Sequence, residues 1–599
     1  MLAEFLGGVR TASRKVPGGR QAHPRKPPGG RWVHPGKVTS LLATAVVLAA
    51  SLAACSAADP TSAAPPLAQA WPGVVTTGTA PVPGDPAAPA DMAVYTQRGD
   101  NSRVGWNYHE KTLTTGDVTA AGFGRLASFP VRGKIYSQPL YVPGLRIGGV
   151  RRNVVIVTTE DDQVYAFDAD ATGGQPALLW HTNFLVHGAR PVNDLRILHC
   201  TYITPGIGIT GTPVIDPVTG RMYLITVMME GSRIVDAMHA LSIATGHDVI
   251  KPAVLQASVP GTGAGGSHGR VPFDPMIADQ HAGLLLDDGV VYAAFSGYCG
   301  RIPDHGWILG YNASDLHQAV VYNDTPDAVD GGIWQAATGL VADSAGDMFV
   351  TTGNGPFNLN RGGSSASDSL LELRRAGPAL KVVDYFTPFD QVCMMDHDWD
   401  FSSGAALLVG KNEIISADKT GTMYVLDRSH LGGYHTIPAP CSHLNDTHVD
   451  HVIQETPQNV IDGGVWSAET YFSGTSGGYL YTAGTAAKVQ AWRLSQGKIV
   501  RPSASHGAET LSYPGAIPVG SSNGARPSTA IVWALTSTQN PALRAYAATN
   551  LGRELWNSDE GPAANRVPSY DNFTLPTIAN GRVYLGTSGE LLVYGLTQH

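Results

Sequence analysis

A strand-and-turn unit recurs eight times from residue 92 to the end of the chain, and this repeat limits the fold more than any other feature. Each copy has an apolar strand, a Gly/Asp turn, a second strand, a segment like "VYAFD" and a looser strand with Trp, at about 63 residues per unit. The copies begin at Ser137, Thr210, Gly283, Thr338, Gly404, Gly477, Ser528 and Pro576. Because each unit can form its own small core, the pattern predicts an all-β, eight-bladed β-propeller of four-stranded antiparallel blades.

The two ends of the repeat region predict how the ring closes. The eighth copy ends at "LLVYGLTQH" and lacks a fourth strand, whereas a spare apolar strand, "GRLASFPV" (124–131), precedes the first copy. Pairing the two would remove both open sheet edges. We therefore expect the N-terminal strand to complete the last blade.

Residues 1–91 read as an export signal followed by a tether. Residues 1–37 carry eight basic residues and one acidic residue, and the uncharged run "LLATAVVLAASLAA" (41–54) is shorter than the about 20 residues that span a bilayer. This run ends at Cys55, and "LAAC" resembles the bacterial lipobox, whose cysteine is lipidated. We expect a lipoprotein signal peptide over 1–54 and a protein exported and anchored by lipid to the outer side of the bacterial cell membrane. The alternative is an ordinary secretory signal with a chance cysteine.

Residues 55–91 and the charge of the mature chain restrict the partners. Eight prolines among Ala, Ser and Thr in 56–91 predict an extended Pro/Ala-rich tether ahead of a propeller over 92–599. Loss of residues 1–54 removes eight positive charges and one negative, so the net charge falls from −9 to −16. Such a domain repels nucleic acid and anionic lipid headgroups. We expect a monomer that binds a small molecule or an extracytoplasmic protein and reaches the membrane only through its lipid.

Four cysteines remain in the mature domain, and no C-x-x-C pair occurs among them. An even number in an oxidising compartment favours disulfides. Cys200 and Cys299 lie on loops of neighbouring blades that emerge on the same face, which predicts a Cys200–Cys299 bridge. Cys393 and Cys441 then pair by elimination. The alternative is separate buried thiols.

The strand motifs resemble a known repeat. Third strands such as "VYAFDA", "MYVLD" and "LLVYGL", with Trp in "LLW", "AW" and "ELW", resemble pyrroloquinoline quinone-type repeats of the quinoprotein alcohol dehydrogenase-like superfamily. That superfamily includes the assembly lipoprotein of the bacterial outer membrane. The stretches "GITGTPVID", "HGW" and "DGGIWQ" are similar to those of a secreted and lipoprotein branch of bacterial propellers.

For the dehydrogenases of this superfamily, the resemblance implies pyrroloquinoline quinone and calcium (Ca) as cofactors. Those enzymes typically carry a vicinal Cys–Cys disulfide, a calcium site of Glu, Asn and Asp, and a catalytic Asp. This sequence contains no Cys–Cys pair, and no such triad falls at the corresponding blade positions.

Two near-identical stretches, "DGGIWQ" (330–335) and "DGGVWS" (462–467), precede the inner strands of blades four and six. This placement predicts that Trp334 and Trp466 flank the axial channel. The loops that enter inner strands gather on one face with the loops between second and third strands, and this face is the default ligand site. Its candidate ligand-binding residues are Tyr136, Gln138, Thr210, His281, Trp334, Gln335, Trp466, Arg526 and Asn572. The alternative is that the tryptophans only plug the channel.

Two polar groups on the same face are candidates for metal or proton chemistry. In "DHDWD", an extended backbone would put Asp396, Asp398 and Asp400 on one side, where they would bind a hard cation. The alternative is a structural Asp-rich turn, since the Gly and Glu that an EF-hand loop requires are absent. Four histidines also fall on loops of this face: His199, His281, His305 and His397. They form either a cluster for metal or acid–base chemistry, or a set of separate, solvated side chains.

Three functions fit these patterns. The lipobox, the tether and the missing quinoprotein residues favour a non-catalytic binding or assembly propeller. The blade motifs and channel tryptophans favour the alternative, a pyrroloquinoline quinone-dependent alcohol or sugar oxidoreductase with a divergent site. A hydrolase or lyase using the His- and Asp-rich face has the least support.

Overall fold

The structure, a computed structural model, describes residues 92–173, 177–193, 200, 202–537, 540–569 and 571–597. It is an eight-bladed β-propeller of four-stranded antiparallel blades, as the repeat predicts. The predicted signal peptide, the lipidation site Cys55 and the tether lie outside the described residues. Within the described ranges, no helix has the length and apolarity needed to cross a membrane.

Each of the first four blades has four main strands, given from the inner strand at the axis to the outer strand. Blade 1 contains Leu140–Ile147, Val150–Thr159, Gln163–Asp168 and Leu178–Asn183. Blade 2 contains Val214–Asp216, Arg221–Glu230, Arg233–Ser242 and Ala253–Val254. Blade 3 contains Leu285–Asp287, Val290–Gly297, Trp307–Asn312 and Gln318–Asn323. Blade 4 contains Val341–Ala342, Met348–Thr351, Leu370–Ala376 and Ala379–Thr387.

The last four blades have the same order of strands. Blade 5 contains Leu407–Val409, Glu413–Ala417, Met423–Asp427 and Gln454–Glu455. Blade 6 contains Thr470–Gly474, Gly477–Thr482, Gln490–Ser495 and Lys498–His506. Blade 7 contains Val519–Ser521, Ile531–Thr536, Ala542–Ala547 and Glu554–Asn557. Blade 8 contains Thr577–Ala579, Arg582–Gly586, Ser588–Leu596 and Phe123–Lys134.

Short elements extend these blades. The additional strands are Trp106–Asn107, Arg190–Pro191, Ala278–Asp279 and Gly433–Tyr434, with a separate hairpin of Ser258–Pro260 and Arg270–Pro272. One α-helix, α1 (Gln391–His397), lies between blades 4 and 5. The 3₁₀ turns within the described ranges include Tyr298–Gly300, Leu359–Arg361, Phe401–Ser403, Pro440–Ser442, Pro527–Thr529 and Ala563–Asn565.

The ring closes through the N-terminal strand, as predicted. Phe123–Lys134 pairs antiparallel with Ser588–Leu596, with Ala127 opposite Val593 and Phe129 opposite Leu591. Phe129 is buried and stacks on Phe167 of blade 1 at 5.0 Å between ring centroids. The closing strand therefore joins the last blade to the first.

Residues 94–107 lie ahead of the closing strand and contain no repeat motif. The structure places them inside the ring. We call this stretch the axial segment. It forms hydrogen bonds to the inner strand, or the residue next to it, of all eight blades in their order around the ring. The partners in that order are Tyr141, Ile215, Leu284, Ala342, Leu408, Tyr471, Gly520 and Ile578.

Two arginines hold the axial segment in place. Arg103 is fully buried and donates to the carbonyls of Leu340 and Leu284 at 3.1 and 3.0 Å, and to Gln97 at 2.6 Å. Arg98 is 2% exposed and donates to the carbonyls of Arg103 and Glu469. Burial lowers the pKa of each guanidinium to about 10. The two guanidinium groups occupy the centre of the ring. They donate to carbonyl oxygens that the short inner strands leave without a hydrogen-bond partner.

Both predicted disulfides are present. Cys200–Cys299 and Cys393–Cys441 have Cα–Cα distances of 5.5 and 5.6 Å, within the usual range for a bridge. The first joins the loop that enters blade 2 to the loop between the second and third strands of blade 3. The second joins α1 to the insertion that precedes the outer strand of blade 5.

Candidate functional site

The end of the ring where chains enter the inner strands is called the top face here. Side chains from successive loops of this face meet around the axis and form what we call the aromatic collar: Tyr202, His281, Trp334, Trp466, Tyr513 and Phe573. They stand on the loops that enter blades 2, 3, 4, 6, 7 and 8. Trp334 and Trp466 thus stand on the same face, each on a loop that enters an inner strand.

The collar rings contact one another in sequence. The centroids of Trp334 and Tyr202 are 6.4 Å apart, and those of Tyr202 and His281 are 5.9 Å apart. His281 meets Phe573 edge-on at 5.1 Å, and Tyr513 lies 6.5 Å from Phe573 and 5.1 Å from Trp466. Trp334 and Trp466 are half-buried and Tyr513 is 46% exposed, so the collar presents ring surface to solvent.

The twin Asp-Gly-Gly turns explain how the two tryptophans reach the axis. In the second turn, Gly463 and Gly464 have φ of +66° and +77°, and a Cβ on Gly464 would collide with the carbonyl oxygen of Lys419. Only glycine tolerates both that backbone conformation and that approach. The apolar residue after the glycines is buried, Ile333 in one turn and Val465 in the other, which leaves the next residue, Trp, at the mouth of the channel.

A positive charge already lies against the collar. The ammonium nitrogen of Lys419, in the loop between the second and third strands of blade 5, lies 4.6 Å from the ring centroid of Trp466. It also contacts Asp400 and lies 3.1 Å from Asp398. Asn354 donates to the same two carboxylates, from Nδ2 to Asp398 and from its backbone N–H to Asp400, at 2.8 Å each. The coulombic attraction of the two carboxylates outweighs burial and raises the pKa of Lys419.

Carboxyl groups are buried beneath the collar. Asp279 accepts a hydrogen bond from the Tyr202 hydroxyl, and burial raises its pKa to about 7. Glu160 accepts from the Gly208 N–H and the Thr210 hydroxyl at 2.8 and 2.9 Å, and burial raises its pKa to about 8. Burial raises the pKa of Asp304 to about 8, with a further contribution from its neighbour Asp330. The floor is thus rich in acidic groups that gain a proton readily.

Most predicted ligand residues lie on the top face, but in different roles. Thr210 supports Glu160, whereas Gln138 accepts from the Arg98 backbone N–H at 2.7 Å and so belongs to the axial segment's surroundings. Gln335 is fully buried behind Trp334 and donates to Gly339 at 3.3 Å. The remaining two residues of this face, Tyr136 and Asn572, are buried and half-buried respectively. Whether any of them binds a ligand stays a prediction.

The structure corrects the placement of Arg526. It is exposed in the loop between the first and second strands of blade 7, which emerges at the end opposite the top face. The inner strand of blade 7, Val519–Ser521, is only three residues long and carries too little pattern to be predicted, so the expected position of Arg526 is wrong.

The aspartate triplet does not form the extended face that was expected. Asp396 is exposed in α1, and Asp398 adopts a left-handed conformation at the end of that helix, so the alternation of an extended strand is lost. Asp398 and Asp400 instead share Lys419. Across the described ranges, no three His, Cys, Asp or Glu side chains are grouped so that they could hold a metal ion.

The candidate histidines are separated in the structure. His281 belongs to the collar, whereas His305 lies between the Thr325 hydroxyl and the Ala264 carbonyl at 2.9 Å each. His397 bonds the Cys393 carbonyl and stacks on Trp399. His199 lies outside the described residues.

Several residues of the site were not identified from the sequence: Tyr202, Asp279, Lys419, Tyr513 and Phe573. Lys419 carried a usable signal, since "DKTG" is the turn between the second and third strands of blade 5 and such turns were expected on this face. The aromatic residues carried less signal, because each lies in a long irregular loop between blades.

Comparison with solved structures supports the fold. A quinohemoprotein alcohol dehydrogenase from Comamonas testosteroni has a TM-score of 0.54 at 14% identity, covering 86% of this chain and 82% of that chain. The quinohemoprotein alcohol dehydrogenase ADHIIG from Pseudomonas putida HK5 has a TM-score of 0.53 at 13% identity, covering 84% and 80%. BamB from Moraxella catarrhalis has a TM-score of 0.44 at 12% identity, covering 80% and 98%.

No model of a known protein family matches the chain, and no curated protein sequence matches it. The two alcohol dehydrogenases show that this chain has the quinoprotein-like propeller fold. At 13% and 14% identity they show the fold alone. The function must be argued from the residues of the top face.

Proposed function

We propose that the protein is a lipid-anchored, extracytoplasmic propeller that binds a ligand or partner protein at the aromatic collar and is not a quinone-dependent dehydrogenase. The lipid anchor at Cys55 rests on the sequence. The binding role rests on the collar, where half-exposed rings from separate blades converge on the axis of a closed ring. Aromatic residues supply much of the binding energy at recognition surfaces.

The position of Lys419 carries the argument against the quinone cofactor. Pyrroloquinoline quinone is a planar polycarboxylate, so its site must supply positive or hydrogen-bond donating groups around the ring, and its calcium ion needs oxygen ligands. Here the ammonium of Lys419 lies between Asp398 and Asp400, two carboxylates suited to holding such a cation. On the opposite side of the collar the buried groups are also carboxyls, Asp279 and Glu160. Because Lys419 occupies this carboxylate pair, the arrangement favours a binding propeller over a site for the quinone with calcium.

A titration tests the proposal against the alternative, an alcohol or sugar oxidoreductase with a divergent site. Purified exported protein is mixed with pyrroloquinoline quinone and calcium, and the absorbance spectrum is recorded before and after adding a primary alcohol, or glucose, with an electron-accepting dye. We expect no saturable spectral change and no substrate-dependent dye reduction. Stoichiometric binding of the quinone with turnover would overturn the proposal and support the oxidoreductase.

A further inference from the structure

The collar combines two kinds of group that attract positive charge. The faces of aromatic rings carry negative potential, and Trp binds cations best among the side chains. Trp334, Trp466 and Tyr513 each offer partly exposed ring surface at the mouth. Two carboxyl groups lie at the same end of the ring: Asp279 on the loop that carries His281, and Asp304 on the loop between the second and third strands of blade 3.

Lys419 shows that the collar accommodates an ammonium group. Its nitrogen lies 4.6 Å from the Trp466 centroid, within the about 6 Å expected of a cation–π contact. Two carboxylates neutralise it, so it adds little repulsion toward a second cation on the other side of the mouth. That other side is formed by Trp334 and Tyr202.

Two buried carboxyl groups on that other side lack a full set of partners. Asp279 is 1% exposed; one oxygen accepts from Tyr202, while the other has no hydrogen-bond partner among the described residues. Asp304 is 4% exposed and its carboxyl lies against that of Asp330, and its Oδ1 has no hydrogen-bond partner among the described residues. The Asp304 backbone carbonyl accepts from the N–H of Asp330, which begins the turn that carries Trp334. A buried carboxyl oxygen without a hydrogen-bond partner is costly, and a positive guest would favour the ionised form of Asp279 and be attracted to it.

We propose that the aromatic collar binds a small organic cation, an alkylammonium or quaternary ammonium compound, between Trp334 and the Asp279 side of the mouth. This inference rests on the proposed function and names the ligand class of the same site. A neutral guest of the same shape would gain the ring contacts but not the charge interactions. An anionic guest would face the buried carboxyls.

Three probes of nearly equal shape test the charge requirement. Choline carries the positive charge, 3,3-dimethylbutan-1-ol is its neutral counterpart, and 3,3-dimethylbutanoate is negative. Binding to the purified exported protein is measured by calorimetry and by saturation-transfer NMR. We expect choline to bind about tenfold more tightly than the neutral alcohol, and the anion not to bind. Equal binding of choline and the alcohol, or no binding of choline, would overturn the inference.

Matched substitutions locate the site. Trp334→Leu and Asp279→Asn should each weaken choline binding about tenfold. Two control variants should leave binding unchanged: Trp180→Leu and Asp450→Asn. Trp180 is half-buried on the outer strand of blade 1, and the Asp450 carboxyl is buried near Phe389. Circular dichroism checks that each variant is folded. Equal losses in folded collar and control variants would overturn the location.

The failure of this inference differs from failure of the proposed function. If the alcohol binds as well as choline, the collar is a binding site without charge selection, and the proposed function stands. If quinone binds with turnover, the proposed function itself fails, whatever the choline result.

Discussion

Replacing Arg103 by methionine tests whether the axial segment stabilises the ring. Methionine keeps much of the apolar stem but removes the guanidinium, which donates to the carbonyls of Leu340, Gln97 and Leu284 and to the Thr96 hydroxyl. The Leu284 carbonyl keeps a contact from the Thr96 hydroxyl at 3.4 Å. The carbonyls of Leu340 and Gln97 lose the guanidinium hydrogen bonds at the buried centre of the ring.

The expected cost follows from these contacts. Each buried acceptor that loses its donor costs about 1–3 kcal/mol, so two acceptors give about 2–6 kcal/mol. Removing a charge that is itself costly to bury offsets part of this, as the lowered pKa of Arg103 indicates. We expect a net loss of about 2–4 kcal/mol in the free energy of unfolding, from the same acceptor costs less that offset.

The assay is urea unfolding followed by far-ultraviolet circular dichroism, with Arg233→Met as the matched control. Arg233 is exposed at the turn of a blade 2 hairpin, where a substitution should change stability by no more than about 0.5 kcal/mol. If Arg103→Met and Arg233→Met have the same unfolding midpoint, the hydrogen bonds of Arg103 do not stabilise the ring, and the reasoning is refuted.

Three further predictions concern pH, closure and anchoring. Burial raises the folded-state pKa of Glu160 and Asp304 to about 8. The native state therefore binds more protons than the unfolded state between about pH 4 and 8. The free energy of unfolding should fall as pH rises through that range. The urea unfolding midpoint is measured at pH 5 and pH 8. In Glu160→Gln this midpoint should differ less between the two pH values. A higher midpoint at pH 8 than at pH 5 in the unsubstituted protein would contradict the prediction. Deletion of 124–131 should expose the edge of Ser588–Leu596 and cause aggregation, seen by light scattering; a soluble and equally stable deletion variant would exclude that role for the strand. Cys55→Ala should move the protein from the membrane pellet to the soluble fraction, and full retention in the pellet would disprove lipidation there.

The sequence predicted the ring, its closure and the Cys200–Cys299 disulfide because these follow from periodicity, whereas Cys393 and Cys441 were paired by elimination. Strand pairs alternate with Gly/Asp turns in every unit, so the face of each loop could be assigned once the unit was recognised, and Cys200 and Cys299 could be paired across neighbouring blades. The Arg526 error arose where an inner strand was too short to show the pattern.

The axial segment and half of the collar could not be predicted for a different physical reason. Arg98 and Arg103 lie in a stretch with no repeat and bind backbone carbonyls, which every sequence provides and no motif marks. Asp396 was misplaced because local helix formation in α1 replaced the extended chain that the alternation suggested. Long loops such as those of Tyr202 and Tyr513 are positioned by tertiary contacts.

The axial segment also imposes an order on how the chain can reach its native state. It precedes all eight blade repeats along the chain, yet its hydrogen bonds reach from Tyr141 to Ile578. The closing strand that follows it must likewise wait for Ser588–Leu596. During synthesis, the first part of the domain to emerge is therefore the last to be fixed. Contacts separated by more than 400 residues make folding slow. A chain that stops short of blade 8 would leave both the segment and the strand without their final partners.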